Sequence, residues 1–200
     1  MNLQFYIEKL QESPEYKDFM KENPEAYLCG GFFKIDRENL KSPNNQAHID
    51  IYNPETKEMF SFQLEEGVKK VPVENSSGKT PTKILKETDF NFEEIEKILD
   101  DELKKRKIKN KIKQILFSLQ NLDKDKKDYL ITTVFLSSLG LLKITIDIKD
   151  KEITSFEKKS LFDMVKVFKN KKPKKAQETK EGNDNKTDKN KNNKTQGSEE

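Results

Sequence analysis

Two stretches of this chain alternate apolar and polar residues with the period of a strand. In the first, His48-Ile49-Asp50-Ile51-Tyr52 leads through Asn53-Pro54-Glu55-Thr56 into Met59-Phe60-Ser61-Phe62-Gln63-Leu64. In the second, Leu142, Ile144, Ile146 and Ile148 alternate before a turn leads to Ile153–Phe156. A period of two puts like residues on one side of the pleat, so each stretch is a β-hairpin with one apolar face. Ile49, Ile51, Phe60, Phe62 and Leu64 are the expected core face of the first. Such a face must be covered, and the rest of the chain supplies amphipathic helices to do it.

Leu3, Ile7 and Leu10 mark one helical face, and Ser13-Pro14 starts a second helix that presents Tyr16, Phe19 and Met20 and stops at Asn23-Pro24. Tyr27 to Ile35 reads as a strand with a bulge at Gly30-Gly31. Val68, Val71 and Val73 add a strand that Pro72 confines to an edge. Asn91 caps a helix with Glu94 at the capping-box position and Phe92, Ile95, Leu99 and Leu103 on one face. Ile108, Ile112, Ile115 and Leu119 then share a second, rotated phase, which predicts a further helical segment or a bend near residues 104–107. Tyr129–Leu136 is the next strand, and Ser160 is expected to cap a last helix carrying Leu161, Val165 and Phe168. The expected sheet core is Phe33, Ile51, Phe60, Phe62, Phe135, Ile144, Ile146 and Phe156.

The two halves correspond. Tyr27-Leu28 matches Tyr129-Leu130, Phe33 matches Phe135, Ile49-Asp50-Ile51 matches Ile146-Asp147-Ile148, and Lys57 to Phe62 matches Lys151 to Phe156. The reading is an α+β protein of two related helix-plus-antiparallel-sheet halves: residues 1–75, a connector at 76–90, a second half at 91–169, and a disordered tail at 170–200. The signature running from Ile49-Asp50 through Phe62, and again from Ile146-Asp147 through Phe156, resembles PepSY-type modules. It departs from their usual Thr-Gly turn, with Glu55-Thr56-Lys57 and Asp150-Lys151 in its place. The resemblance implies a non-catalytic binding module that contacts peptidases or peptides. Members of that family are commonly exported or membrane-linked, whereas the start of this chain lacks the basic-then-apolar order of an export signal.

Charge is unevenly placed. Residues 171–200 hold nine lysines against six acids, which accounts for the whole net charge of +3. Ala176 is the one apolar side chain there, too little burial to offset the entropy of ordering, and disorder is expected. No apolar run reaches the length of a spanning helix. A single cysteine, Cys29, excludes an internal disulfide and a cysteine-based zinc site and suits a reducing cytoplasm. One histidine excludes a multi-histidine metal site. Only Arg37 and Arg106 are arginines, which weakens the case for nucleic acid, where the planar fork of arginine is favoured.

The motifs that suggest chemistry are incomplete. Ser77-Gly78-Lys79-Thr80 lacks the glycine a phosphate loop needs at position 73, and Pro81 follows where a helix should begin. Asp123, Asp125 and Asp128 break calcium-loop spacing, with Lys127 at the fifth position. Cys29 and His48 could serve as nucleophile and base but have no evident orienting partner. No catalytic residue, cofactor or metal is therefore assigned. Lys104, Lys105, Arg106 and Lys107, continued by Lys109, Lys111 and Lys113, and a second cluster running from Lys166 through Lys171, Lys172, Lys174 and Lys175, are candidate contacts for an anionic partner. Both also suit the C-terminal end of a helix. The expected function is a cytoplasmic, non-enzymatic protein- or peptide-binding module. Its candidate surface is His48, Asp50 and Tyr52 beside a strand edge that another chain could extend. The alternative is weak nucleic-acid association through the lysines.

Overall fold

The computed structural model describes residues 2–75, 78–122, 127–137 and 139–160. Two short helices open it, α1 (Leu3–Glu12) and α2 (Pro14–Glu22). Ser13 both ends the first and starts the second. Its hydroxyl donates to the Leu10 carbonyl at 2.7 Å and accepts from the Tyr16 amide at 3.2 Å, while Pro14 takes the first helical position, where no amide is needed.

Four strands follow as a meander: β1 (Tyr27–Asp36), β2 (Gln46–Asn53), β3 (Glu58–Gln63) and β4 (Lys69–Val73). A connector leads to α3 (Phe92–Lys105), and a second meander comprises β5 (Ile112–Leu122), β6 (Lys127–Leu136), β7 (Gly140–Asp147) and β8 (Glu152–Ser160). The meanders join along β1 and β5 into one antiparallel sheet of eight strands, ordered β4-β3-β2-β1-β5-β6-β7-β8. Its helix-covered face is built from aligned rows. Phe62, Ile49, Gly31, Leu119, Leu130, Ile146 and Ile153 lie side by side across seven strands. The row is tightest at Gly31, where a Cβ would stand 3.1 Å from the Phe33 ring and 3.2 Å from the His48 carbonyl oxygen and one of them would have to shift.

Aromatic rings seat the helices. Phe19 of α2 meets Phe60 and Phe62 edge-on at 5.2 and 5.5 Å, and Phe92 of α3 meets Phe33 at 4.9 Å and Phe117 at 5.8 Å. Arg37, just past β1, grips α3 with two hydrogen bonds to the Asp100 carboxylate, both 3.0 Å, and a 3.3 Å contact to Glu96. The connector is tied down along its length. Ile84 N–H donates to the Leu28 carbonyl at 2.9 Å, and the buried Asp128 carboxylate accepts from Leu85 N–H at 2.9 Å, from the Thr88 hydroxyl, and from Asn121 Nδ2 at 2.7 Å.

Several expectations need correction. Residues 112–119 are not helical: they belong to β5, which pairs with both β1 and β6. The helix stops because Arg106 caps it and Lys107 takes a left-handed φ of 56°. Ile115 and Leu119 are spaced four apart, which satisfies a helix and a strand alike. Phe117 between them, fully buried, decides for the strand. Lys109, Lys111 and Lys113 therefore lie on no helix. Phe135 is off the core face, since its neighbours Val134 and Leu136 occupy it and Phe135 pairs with Gln114 and Leu141 on the far side. Ser160 ends β8, paired with Gly140, instead of capping a helix. The segment with Leu161, Val165 and Phe168 and the 170–200 tail lie outside the described residues. No helix among those described is long and apolar enough to cross a membrane.

Candidate functional site

The sheet face turned away from the helices carries the side chains that alternate with the core: Phe32, His48, Asp50, Ser61, Ser118, Gln120 and their neighbours. Near the β1 bulge, residues 79–82 of the connector stand over this face. A groove of about 680 Å³ runs between them and the sheet. Gly30 of β1 forms its floor, Asp50 and Met59 one wall, Ser118, Gln120 and Leu122 the other, and Lys79, Thr80 and Pro81 the rim.

The floor is flat because residue 30 has no side chain. A Cβ there would sit 3.0 Å from the Leu119 carbonyl oxygen and 3.6 Å from Asp50 Oδ2. That second distance also fixes the carboxylate: Oδ2 lies over the Gly30 backbone, on the groove side. The Ser61 hydroxyl donates to it, and burial raises the Asp50 pKa above the usual carboxylate range, against the lowering effects of Ser61 and His48. A carboxylate offers about four acceptor positions, so it has capacity for more donors.

Of the surface expected from sequence, the three residues part company. Asp50 lines the groove. Tyr52 is only 3% exposed: its ring meets Tyr27 edge-on at 5.6 Å, and the Tyr27 hydroxyl donates to the Pro81 carbonyl at 2.8 Å, which brings the connector over both. It is thus no accessible anchor. His48 is half-buried against Phe32, with Nε2 3.1 Å from Glu65 Oε1. The expected extensible edge beside them is absent as well, because β2 is paired on both sides and the sheet's edges are β4 and β8. The alternation placed all three residues on one face correctly, but it could not reveal the connector that buries one and partly roofs another.

Cys29 occupies the bulge, with Sγ 3.4 Å from the Asp50 carbonyl oxygen. Desolvation, aided by the Asp50 charge, pushes its thiol up to about 12, which keeps it protonated near neutrality. His48, opposite Phe32 in the register, is engaged by Glu65 and not by this thiol. Among the described residues no group of three or more His, Cys, Asp or Glu side chains is placed to hold a metal ion. Asp128 is a strand residue serving the connector; Asp123 and Asp125, and with them the rest of the acidic cluster, lie outside the described residues.

Of the seven cations in the first cluster, Lys104, Lys105 and Arg106 pair with carboxylates of their own helix. Lys104 pairs with Asp101 at 3.0 Å, Lys105 with Glu102 at 3.7 Å, and Arg106 with Glu102 at 2.5 Å. The Arg106 guanidinium also stacks 3.8 Å from the centre of the Phe156 ring, clamping α3 onto β8. Lys107 takes the left-handed position that ends the helix, and Lys113 reaches Glu38 at 2.7 Å. Lys171, Lys172, Lys174 and Lys175 lie outside the described residues.

No family model matches the chain, and no curated protein matches it. Among solved structures, the chain is similar to the crystal structure of "a putative lipoprotein" from Clostridium difficile 630, at 12% identity and a TM-score of 0.44. That match covers 72% of this chain and 90% of the other.

Proposed function

We propose that this protein is a non-enzymatic binding module that takes a peptide segment of a partner protein into the groove beneath residues 79–82. The groove itself carries the reading. Its volume of about 680 Å³ is that of a ligand site. Its walls combine apolar surface from Met59, Pro81 and Leu122 with a few polar groups from Asp50, Ser118 and Gln120, the mixture that fixes a side chain in place. The nucleic-acid alternative loses ground because Lys104, Lys105, Arg106 and Lys113 already face carboxylates of this chain.

The module is also read as a tandem duplication. Support comes from the two hairpin turns, whose geometry aligns Asp147 with Asn53 instead of with Asp50. In each, a buried Asn or Asp side chain accepts from a backbone amide two residues on: Asn53 from Glu55 at 2.9 Å, and Asp147 from Lys149 at 3.0 Å. Each turn then closes through a lysine in the left-handed region, Lys57 at φ 60° and Lys151 at φ 55°, before a glutamate that pairs back across the hairpin. Those lysines stand where the PepSY-type turn has glycine.

The test is selection from a random nine-residue peptide library on the full chain, with Gln120→Trp as a groove-blocked control. Gln120 is exposed, so the bulky ring fills the groove without entering the core. Peptides enriched on the parent and lost on the variant are expected; equal enrichment on both would refute the groove as the site.

A further inference from the structure

The groove's chemistry narrows what it can hold. One of its polar groups is a carboxylate, that of Asp50, set over bare backbone at Gly30 and flanked by the Ser61 hydroxyl of the neighbouring strand. The surfaces leading down to it include a thioether from Met59, a pyrrolidine ring from Pro81 and an aliphatic side chain from Leu122, beside the polar groups of Ser118 and Gln120 and the rim residues Lys79 and Thr80. A ligand group complementary to this profile has an apolar stem of several carbons and a cationic, hydrogen-donating head. Among protein side chains only lysine and arginine have that form.

We infer that the groove recognises a basic side chain of the bound peptide, its stem lying along Met59, Pro81 and Leu122 and its cationic head seated on the Asp50 carboxylate. This rests on the peptide-binding reading above. An acidic side chain is disfavoured at this seat by Asp50 itself, because two carboxylates brought together repel, while Lys79 stands at the rim of the groove. Gly30 is part of the recognition, because any side chain there would occupy the space directly above the floor where the head must sit. Ser61, opposite Asp50 in the β2–β3 register, is a positioning residue whose hydroxyl donates to the carboxylate.

The experiment uses the full chain and a set of alanine-rich nine-residue peptides, capped at both ends and identical except for a central lysine, arginine, norleucine or glutamate. Binding is read by isothermal titration. The lysine and arginine peptides are expected to bind at least tenfold more tightly than the norleucine peptide, and the glutamate peptide least. Asp50→Asn keeps the shape and the Ser61 contact and should erase the preference for lysine over norleucine. Gln120→Arg leaves Asp50 untouched but places a guanidinium of the protein's own beside it, and should abolish lysine-peptide binding even if Asp50→Asn proves unstable. If lysine and norleucine peptides bind the parent equally, the cation assignment is overturned while peptide binding stands. If none of the peptides binds and the random library also yields nothing, the functional reading falls with it.

Discussion

Thr132 is a polar side chain in the wrong place, and replacing it should make the protein more stable. It sits on β6 in the core row between Phe117 and Ile144, is 0% exposed, and its Oγ1 has no hydrogen-bond partner among the described residues. Burying a hydroxyl without a partner costs about 1–3 kcal/mol by mutational measure. Valine has nearly the same shape, so Thr132→Val removes that penalty and leaves no cavity. It also adds a methyl group to the apolar surface in a strand, where β-branched residues are well tolerated. A gain of about 1–2 kcal/mol is expected. For a chain of this length each kcal/mol moves the melting temperature by about 2–4 °C, so the midpoint should rise by roughly 2–8 °C. Urea denaturation followed by circular dichroism measures it directly, with an unchanged m-value showing that the denatured state is unaffected. Thr133→Val, next along the strand on the half-buried opposite face, is the control and should change stability by less than about 0.5 kcal/mol. A loss of stability in Thr132→Val would mean that the hydroxyl is satisfied after all and that the packing of this row is misassigned.

Asp128→Ala should destabilise by about 3–5 kcal/mol, because three donors, from Leu85, Thr88 and Asn121, lose their common acceptor in a buried site; hydrogen exchange should show the connector opening first, and protection there equal to the parent's would refute the assignment. Phe62→Ala, at a fully buried ring wedged against Tyr16 and Phe19, should cost about 3–5 kcal/mol. Phe156→Ala, at a half-buried ring on the edge strand, should cost only about 1–2 kcal/mol, chiefly the Arg106 stack; equal costs in thermal melts would contradict the exposures. Burial alone would raise the Asp147 carboxyl, but Lys127 Nζ at 2.7 Å and the amides of Asp150 and Lys149 outweigh it and hold the pKa below the usual value. A depressed folded-state pKa gives stability that is present above the unfolded pKa of about 4 and is lost as pH falls through the folded value. Asp147→Asn should therefore be less stable than the parent at neutral pH, with the gap closing in acid; a gap that does not change with pH would show that the charge of Asp147 contributes nothing.

What the sequence determined by itself is local. Ser13-Pro14 and Asn91 fix two helix starts because a cap needs only its own side chain and the next three amides. The hairpins at 48–64 and 142–156 follow from alternation and turn residues alone, and Pro72 assigns β4 to an edge because it has no amide to pair. The strand β5 could not be read this way. Ile108, Ile112, Ile115 and Leu119 carry helical spacing, and the alternation of buried Ile115, Phe117 and Leu119 with outward residues is blurred by the apolar Leu116 and by a bulge between Ile112 and Gln114. The candidate site shows the same division. Alternation put His48, Asp50 and Tyr52 on one face, but which of them a partner can reach depends on residues 79–82, some thirty positions later in the chain. That segment stands where it does because Tyr27, Leu28 and Asp128 hold it there. Those are contacts between distant parts of the chain, and no pattern within a short window encodes them, so the groove exists only in the folded protein.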